Sequence, residues 1–196
     1  HGNENCCFDL VASGQLLFFT NNEIRNNYCD NYIGVFNRAN DNNLQLFNLS
    51  FINNSCSSLY GGGSGIQFLN IKSSMTFQKC KFIENKARQD KSKSRPVAQG
   101  SPSYFNGDGG GFQFGYTQET NNLVIKFTNC SFIDNQASRH GGALAIQSLN
   151  EVAITNCLFE RNQANCHFET SELLLEDHFN KKLEGRGGAI YINPSY

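Results

Sequence analysis

Apolar and polar positions along the chain recur in a fixed phrase: an apolar lead residue, two variable residues, and a closing Asn. Five copies are present, at Ile24–Asn27, Phe51–Asn54, Phe82–Asn85, Phe132–Asn135 and Phe159–Asn162. Successive lead residues are 27, 31, 50 and 27 positions apart, so a unit of about 27 residues recurs with extra sequence in places. This periodicity predicts a repeat protein in which each unit forms one coil of a solenoid.

A second phrase, a glycine pair followed by alternating apolar residues, comes after four of the five copies. The four instances are Gly61–Ile66, Gly109–Phe114, Gly141–Ile146 and Gly187–Ile192. Alternation with a period of two is typical of a strand with one buried face, and glycine permits the positive φ of a sharp corner. Each unit is therefore predicted to bend and then to continue as a strand.

A third apolar run precedes each lead residue and keeps the same register in every unit. Its apolar positions are Leu17 and Phe19, Leu44 and Leu46, Met75 and Phe77, Leu123, Ile125 and Phe127, and Val152 and Ile154. Apart from one insertion, the apolar runs span only about four to seven residues, which is too short for helical repeats. Short strands that return in every coil predict an all-β parallel β-helix, with equivalent residues stacked roughly 4.8 Å apart.

The closing Asn of the first phrase occupies one register in all units. These residues are Asn27, Asn54, Asn85, Asn135 and Asn162. We expect them to form a ladder at one corner of the solenoid, because an amide tolerates left-handed backbone and can hydrogen-bond to the copies above and below it.

The glycine phrase with its aliphatic residues and the F-x-x-N phrase together resemble the repeats of polymorphic outer-membrane proteins, a family of surface adhesins. More broadly, they are similar to the pectin-lyase-like right-handed β-helices. The resemblance covers roughly residues 15–192. It implies a right-handed solenoid that is exposed at a cell surface.

The length predicts a single β-helix domain, residues 1–196, of about five to six coils. The sequence Tyr191–Tyr196 comes directly after a core strand and carries no amphipathic cap. We therefore expect the domain to be a segment of a longer solenoid, since the open end of a solenoid needs a cover. The start has no Met and no signal-like apolar segment, which suggests a processed or truncated chain.

The net charge of −1 predicts no preference for nucleic acid or membrane lipid. No run of 18 apolar residues is present, so this segment is not expected to insert into a membrane. The predicted partners are other protein chains, in self-assembly or a surface complex, with glycans as a second class of partner.

Eight cysteines, an even number, indicate an oxidising compartment, and the lack of a C-x-x-C pair argues against a zinc site. Cys29 and Cys56 each lie two residues after a ladder Asn, one coil apart, and are predicted to form a disulfide. Cys80, Cys130 and Cys157 share a register and are predicted to pack as buried thiols. One bond within that column is the alternative.

Three sequons place candidate glycosylation sites at Asn48, Asn53 and Asn129. Asn48 and Asn129 share a register at a predicted outward turn. In a eukaryotic secretory setting we expect a glycan on one of these two. The cysteines and sequons together predict a protein that is secreted or displayed at the cell surface.

Two insertions, residues 86–108 and 163–186, fall between a ladder Asn and the next glycine pair, so both should project from one side of the solenoid. The first is predicted to be a basic surface loop, either solvated or docked on an acidic partner or a sulfated glycan. The second is predicted to contain a short helix that either covers the solenoid wall or docks a partner. Its apolar stripe comprises Leu174, Leu175, Phe179 and Leu183.

Glu84 and Asp134 occupy one register, and paired carboxylates can serve as acid and base or hold Ca²⁺. Their neighbours in the column are Asn53 and Arg161, so a solvated charge ladder is the better interpretation. The four histidines share no register, and no Ser or Cys has a nearby His in a nucleophile pattern. We therefore predict no catalytic residue, no cofactor and no metal site.

The outward positions of the glycine strand form a face with small, uncharged side chains. They are Gly65, Gln113, Ala145 and Tyr191, followed by Gln67, Gly115, Gln147 and Asn193. Such a flat face is predicted to pack against another copy or another protein.

These features predict a non-catalytic extracellular or surface-displayed β-helix that acts as a structural or adhesive module and engages protein partners. The alternative is a carbohydrate-active β-helix enzyme, resembling a polysaccharide lyase or a glycosidase, whose site is completed outside this sequence.

Overall fold

The computed structural model describes residues 6–13, 17–29, 32–40, 44–58, 66–69, 74–89, 109–114, 124–138, 140–147, 151–164 and 188–193. All regular secondary structure in these ranges is β-strand, arranged in four parallel sheets. The prediction of an all-β fold built from stacked parallel strands is confirmed. The helix predicted in the second insertion falls on residues outside the described ranges.

The four sheets are named A to D in the order in which the chain first enters them. Sheet A contains β1 (Cys6–Ser13), β5 (Tyr32–Asn40), β9 (Ile66–Leu69), β13 (Phe112–Phe114), β17 (Leu144–Gln147) and β21 (Ile190–Asn193). Sheet B contains β2 (Leu17–Thr20), β6 (Leu44–Phe47), β10 (Met75–Gln78), β14 (Val124–Thr128) and β18 (Glu151–Thr155). Sheet C contains β3 (Glu23–Arg25), β7 (Ser50–Ile52), β11 (Lys81–Ile83), β15 (Ser131–Ile133) and β19 (Leu158–Glu160). Sheet D contains β4 (Tyr28–Cys29), β8 (Ser55–Ser58), β12 (Lys86–Gln89), β16 (Gln136–Ala137) and β20 (Gln163–Ala164).

The chain passes through sheets A, B, C and D in a constant order and then returns to sheet A. Each strand inside a sheet pairs with the strands one coil before and one coil after it, as β6 does with β2 and β10. Consecutive strands of the chain therefore lie in different sheets, and strands four apart lie side by side. This connectivity is that of a parallel β-solenoid.

The lead residues of the repeated phrase are direct register partners across sheet C. Phe51 pairs with Phe82, Phe82 with Phe132, and Phe132 with Phe159. Their rings stack face to face inside the solenoid, with centroids 5.3, 4.7 and 4.8 Å apart. These buried aromatic rings supply much of the apolar area that holds the coils together.

Sheets A and B complete the interior with a second group of rings. Phe77 stacks on Phe127 at 4.8 Å, and Phe112 of sheet A meets both of them edge-on at 5.2 Å. All three side chains are fully buried. The inward positions of the predicted strands thus form one continuous core.

Two columns of left-handed backbone turn the chain at the corners that flank sheet C. Their φ values lie between 49° and 57°. The corner between sheets B and C is formed by Asn21, Asn48, Lys79, Asn129 and Asn156, and the corner between C and D by Asn26, Asn53, Glu84, Asp134 and Arg161. The corner N–H groups remain paired, since Glu84 N donates to Ile133 O at 2.9 Å in the next coil.

The expectation that the ladder Asn itself adopts left-handed backbone is wrong. In each copy the residue directly before it, such as Asp134 before Asn135, has the positive φ. The turn is made by a residue whose side chain faces solvent. The next residue is the ladder Asn, whose side-chain amide points into the core. Asn tolerates this conformation better than other non-glycine residues, which explains its frequency at the corners.

The two glycines of the pair have different structural roles at the corner before sheet A. The first glycine takes the positive φ, as Gly141 does at 58°. The second lies against the adjacent coil, because a Cβ on Gly142 would stand 2.4 Å from both the Gly188 carbonyl oxygen and the Gln163 nitrogen. Glycine is thus required at the two positions for different reasons.

Sheet D was not anticipated as a sheet, because its strands are two to four residues long and offer too few alternating positions. It extends into the segments predicted as insertions: residues 86–89 are β12 and residues 163–164 are β20. The first residues of both predicted insertions therefore pair with the repeating strands of sheet D. The remaining parts of the two segments, including the predicted docking stripe of Leu174, Leu175, Phe179 and Leu183, lie outside the described residues.

Candidate functional site

The five closing asparagines are brought together in one hydrogen-bonded ladder. Asn85 and Asn135 illustrate its pattern: Asn135 Oδ1 accepts from Asn85 N and from Asn85 Nδ2, both at 3.1 Å. Asn135 Nδ2 donates to Asn162 Oδ1 at 2.9 Å and to Phe82 O at 2.8 Å. Asn54, Asn85 and Asn135 are fully buried. Their amides are saturated by the protein, so this ladder holds the coils and has no group left for a ligand.

The three predicted glycosylation residues lie outside this core. Asn48, Asn53 and Asn129 are exposed at the corners, each with positive φ. Two of them belong to outer amide pairs, since Asn48 Nδ2 donates to Asn21 Oδ1 at 2.8 Å and Asn53 Nδ2 donates to Asn26 Oδ1 at 2.9 Å. Their exposure is compatible with glycan attachment, which stays a prediction.

The charged column contains an ion pair between adjacent coils. Arg161 Nε and Nη2 donate to the two carboxylate oxygens of Asp134 at 2.7 and 2.8 Å, and Arg161 also contacts Glu160. The hydrogen bonds from Arg161 hold the pKa of Asp134 below its ordinary value. A carboxylate held ionised in this way is a poor general acid.

The cysteine column lies inside the solenoid. Cys80 and Cys130 are buried, and their thiols donate to Leu46 O at 3.4 Å and to Phe77 O at 3.5 Å. A hydrogen bond with Cys80, together with burial, raises the pKa of Cys130, and burial raises the pKa of Cys157. Both groups therefore stay protonated at neutral pH and are weak nucleophiles.

Cys29 and Cys56 are direct backbone partners in the pairing of β4 with β8. Neighbouring strands of a sheet lie roughly 4.8 Å apart, which is within the range of α-carbon distances that a disulfide spans. The side chain of Cys29 lies outside the described part of the structure. The bond between them stays a prediction.

The outward face of sheet A is closed at two of the positions predicted to be open. Gln113 and Ala145 have no exposed surface, and His140 is only 6% exposed. The His140 ring stacks on the Tyr191 ring with centroids 4.5 Å apart. Because this burial arises within a single chain, the expectation that this face packs against another copy or another protein is wrong at Gln113 and Ala145. The chain covers its own surface there.

The outward face of sheet B carries a groove that sequence reasoning missed. Its volume is about 170 Å³, and its lining residues are Thr20, Gln45, Leu46, Phe47, Thr76 and Gln78. Thr20, Phe47 and Gln78 are register partners in three successive coils, and Gln45 pairs with Thr76. The ammonium of Lys79 lies 5.4 Å from the Phe47 ring centroid. The sequence signal for this groove was the alternation of buried residues along β6 and β10, which places the residues between them on the outward face.

Metal and membrane features are missing from the part of the chain that the structure describes. No group of three or more His, Cys, Asp or Glu side chains gathers there at metal-binding distance. The described ranges also hold no helix with the length and apolarity to cross a bilayer.

Comparison with known protein families finds a match in one short segment of the chain. Residues 129–147 match the family described as the Chlamydia polymorphic membrane protein repeat. The matched segment runs from the corner residue Asn129 through β15 and β16 to the end of β17 and contains both repeated phrases. No curated protein and no solved structure matches the chain. This segment is thus similar to a repeat of the polymorphic membrane protein type, which occurs in outer-membrane and surface-associated proteins.

Proposed function

We propose that this chain is a non-catalytic β-solenoid module of a secreted or surface-displayed protein, with a structural or adhesive role toward partner molecules. The observation that carries the proposal is the division between its inside and its outside. The buried side-chain amides of the Asn ladder join one coil to the next, while neutral polar side chains from three successive coils line a groove on the outer face of sheet B. The match of residues 129–147 to a repeat of surface proteins supports the same role.

A module of this kind works by holding a surface in a fixed shape. Stacked phenylalanine rings and the Asn ladder repeat in coil after coil, so the positions of outward residues are set by the register of the sheets. Rigid scaffolds of this kind commonly present their binding residues on outward faces and on connecting segments. We infer that the partners are other protein chains, with glycans as a further class.

Several finer features belong to the same proposal. The solenoid is right-handed and pectin-lyase-like, Cys29 is bonded to Cys56, and glycans are attached among Asn48, Asn53 and Asn129. The basic insertion and the apolar stripe of the second insertion contribute to partner docking. What supports these statements is the repeat pattern, the register of the two cysteines and the exposure of the three asparagines.

Hydrolysis or elimination on a carbohydrate receives no support from the described residues. Asp134 is engaged by Arg161 through both of its oxygens, and Glu84 lies one coil away as a solvent-exposed corner residue. Since Arg161 holds the pKa of Asp134 below its ordinary value, Asp134 is a poor general acid, and the enzyme alternative is not proposed further.

The test is adhesion of the folded chain, compared with a misfolded control. Fluorescent beads are coated with purified protein, or with the Gly142→Ala variant, whose added Cβ has no room. Beads with the wild-type chain are expected to bind cultured cells at several times the level of the control beads. Equal binding by both bead types would overturn the adhesive role. Release of unsaturated or reducing sugars from polygalacturonate or alginate by the pure chain would overturn the non-catalytic one.

A further inference from the structure

We propose that the groove on the outward face of sheet B binds a neutral oligosaccharide, with one sugar ring seated against Phe47. The groove spans three coils, from Thr20 in β2 to Gln78 in β10. This inference rests on the proposed function as a surface module, and it names the class of ligand that one of its faces takes.

The size of the groove suits a single sugar ring. Its volume of about 170 Å³ is below the roughly 300–1,000 Å³ of sites for drug-sized ligands. It is also partly open to solvent, so a ring seated in it can carry further sugars. A shallow site that holds one unit of a chain is the geometry expected for oligosaccharide recognition on a flat surface.

The polar lining consists of groups that both donate and accept hydrogen bonds. Thr20 and Thr76 supply hydroxyls, and Gln45 and Gln78 supply primary amides. Within the described part of the chain, none of these four side chains makes a hydrogen bond to another protein group, so all are available to a ligand. Sugar hydroxyls also donate and accept hydrogen bonds, so they can pair with these four side chains. A purely apolar ligand would leave the side chains without hydrogen-bond partners.

Phe47 supplies the apolar surface of the groove. The ring is half-buried on the outer face, and Lys79 of the next coil lies over it at 5.4 Å from the centroid. A cation held over an aromatic ring is attracted to it, so Lys79 helps to fix the ring in place. The C–H face of a pyranose can pack against an aromatic ring while its hydroxyls reach the surrounding polar groups.

The charge of the lining favours a neutral sugar over an acidic or sulfated one. The residues that line the groove carry no charge, and Lys79, which lies over the Phe47 ring, is not among them. A sulfated glycan would be expected to select a cluster of basic side chains instead. Binding of anionic glycans is therefore an outcome against the proposal.

The same face continues along the stack beyond the groove. Thr128 and Thr155 follow Gln78 in the register of sheet B, and Lys126 follows Thr76. Equivalent positions recur at the interstrand spacing of roughly 4.8 Å. A linear oligosaccharide that runs along the stack can thus meet further hydroxyls beyond the ring that is held at Phe47.

The test measures binding of the whole chain to a defined panel of probes. The neutral probes are oligosaccharides of mannose, galactose, glucose and N-acetylglucosamine, and a heparin fragment is the anionic probe. Affinities come from saturation-transfer NMR and calorimetry on the wild type, on Phe47→Ala and on the double variant Gln45→Ala/Gln78→Ala. Tyr28→Ala is the matched control, because Tyr28 is an aromatic residue that is 65% exposed on sheet D.

The expected result is binding of at least one neutral oligosaccharide, weakened about tenfold or more by Phe47→Ala and by the double variant, and unchanged by Tyr28→Ala. Phe47→Trp, which retains an aromatic face, is expected to keep the affinity within about threefold and excludes a mere folding defect. Failure of every neutral probe to bind, equal affinity in Phe47→Ala, or binding of the heparin fragment alone would overturn the proposal.

The outcome also separates this inference from the proposed function. If wild-type beads adhere to cells although no neutral oligosaccharide binds the isolated chain, the adhesive module stands and the glycan groove is wrong. If neither kind of bead adheres although the isolated chain binds a neutral oligosaccharide through Phe47, the groove stands and the adhesive role is wrong.

Discussion

Asn85 and Asn135 are 50 residues apart in the chain, and Asn85 Nδ2 donates a hydrogen bond to Asn135 Oδ1 at 3.1 Å. The Asn27 and Asn54 side chains, which are 27 residues apart, are joined at the same distance of 3.1 Å. The contact between coils is therefore independent of how much sequence separates them. This independence is what allows a solenoid to accept long additions between its strands while its core and its outer faces keep their register.

Substitution of a ladder residue should be much more harmful than substitution of an exposed amide. Asn135→Ala removes four hydrogen bonds at a fully buried position, namely those from Asn85 N and Asn85 Nδ2 to Asn135 Oδ1 and those from Asn135 Nδ2 to Phe82 O and Asn162 Oδ1. We expect a loss of about 2–4 kcal/mol in the free energy of unfolding, measured by urea denaturation. Gln163→Ala, which truncates an exposed side chain on sheet D, is the control and should cost less than about 0.5 kcal/mol. Equal midpoints for the two variants would contradict the ladder.

The glycine corner provides a second pair of variants. In Gly142→Ala the new Cβ would lie 2.4 Å from the Gly188 carbonyl oxygen, whereas in Gly188→Ala the nearest atom in the described part of the chain would be Asn162 O at 4.0 Å. We expect Gly142→Ala to lose about 3 kcal/mol or more, or to fail to fold, and Gly188→Ala to stay within about 1 kcal/mol of the wild type. Thermal unfolding followed by circular dichroism distinguishes them. A stable Gly142→Ala variant would show that the coils do not approach as closely as described.

The ion pair at the corner predicts a pH dependence with a definite sign. Arg161 holds the pKa of Asp134 below the unfolded value of about 3.9. The contribution of the pair to stability is therefore complete above about pH 4 and is lost as the pH falls through the lower, folded-state pKa. NMR titration of the Asp134 carboxyl carbon should show this low pKa, and Arg161→Gln should raise it toward about 3.9. Arg25→Gln, at an exposed pair with Glu23, should leave the pKa of Asp134 unchanged.

The cysteines are predicted to divide into one bonded pair and a column of thiols. After unfolding without a reductant, alkylation should modify Cys80, Cys130 and Cys157 and should leave Cys29 and Cys56 in one cross-linked peptide, detected by mass spectrometry. After reduction, all five should be alkylated. Modification of Cys29 and Cys56 in the unreduced sample would contradict the disulfide, and a link between Cys80 and Cys130 would contradict the thiol column.

The repeated phrase was sufficient to predict the register of the coils. Phe82 and Phe132 stack because they occupy the same position in successive units. In a strand with one buried face, an apolar residue that recurs with this period points into the core. The position of the turn was harder to assign. Asn26-Asn27 and Asn53-Asn54 offer two identical candidates, and only the other units distinguish them: the third residue varies among Glu, Asp and Arg, as an exposed residue can, while the fourth stays Asn.

The groove on sheet B could not be predicted in the same way. Gln45 and Thr76 are adjacent in the sheet, but their identities follow no repeat, because outward residues are not constrained by the core. The burial of Gln113 and Ala145 on sheet A could not be predicted from the repeat pattern either. Their alternation along the strands places them on the outward face, and they are buried only in the folded chain. Periodicity predicts which way a side chain points, and it does not predict what covers it.

The central claim is that buried amides lock successive coils in register and leave the outer faces for partners. Hydrogen exchange of the Asn side-chain NH₂ groups, followed by NMR, tests it most directly. The account predicts that the amides of Asn54, Asn85 and Asn135 exchange at least about a hundredfold more slowly than that of the exposed corner residue Asn156. Exchange of all four at the same fast rate would contradict it.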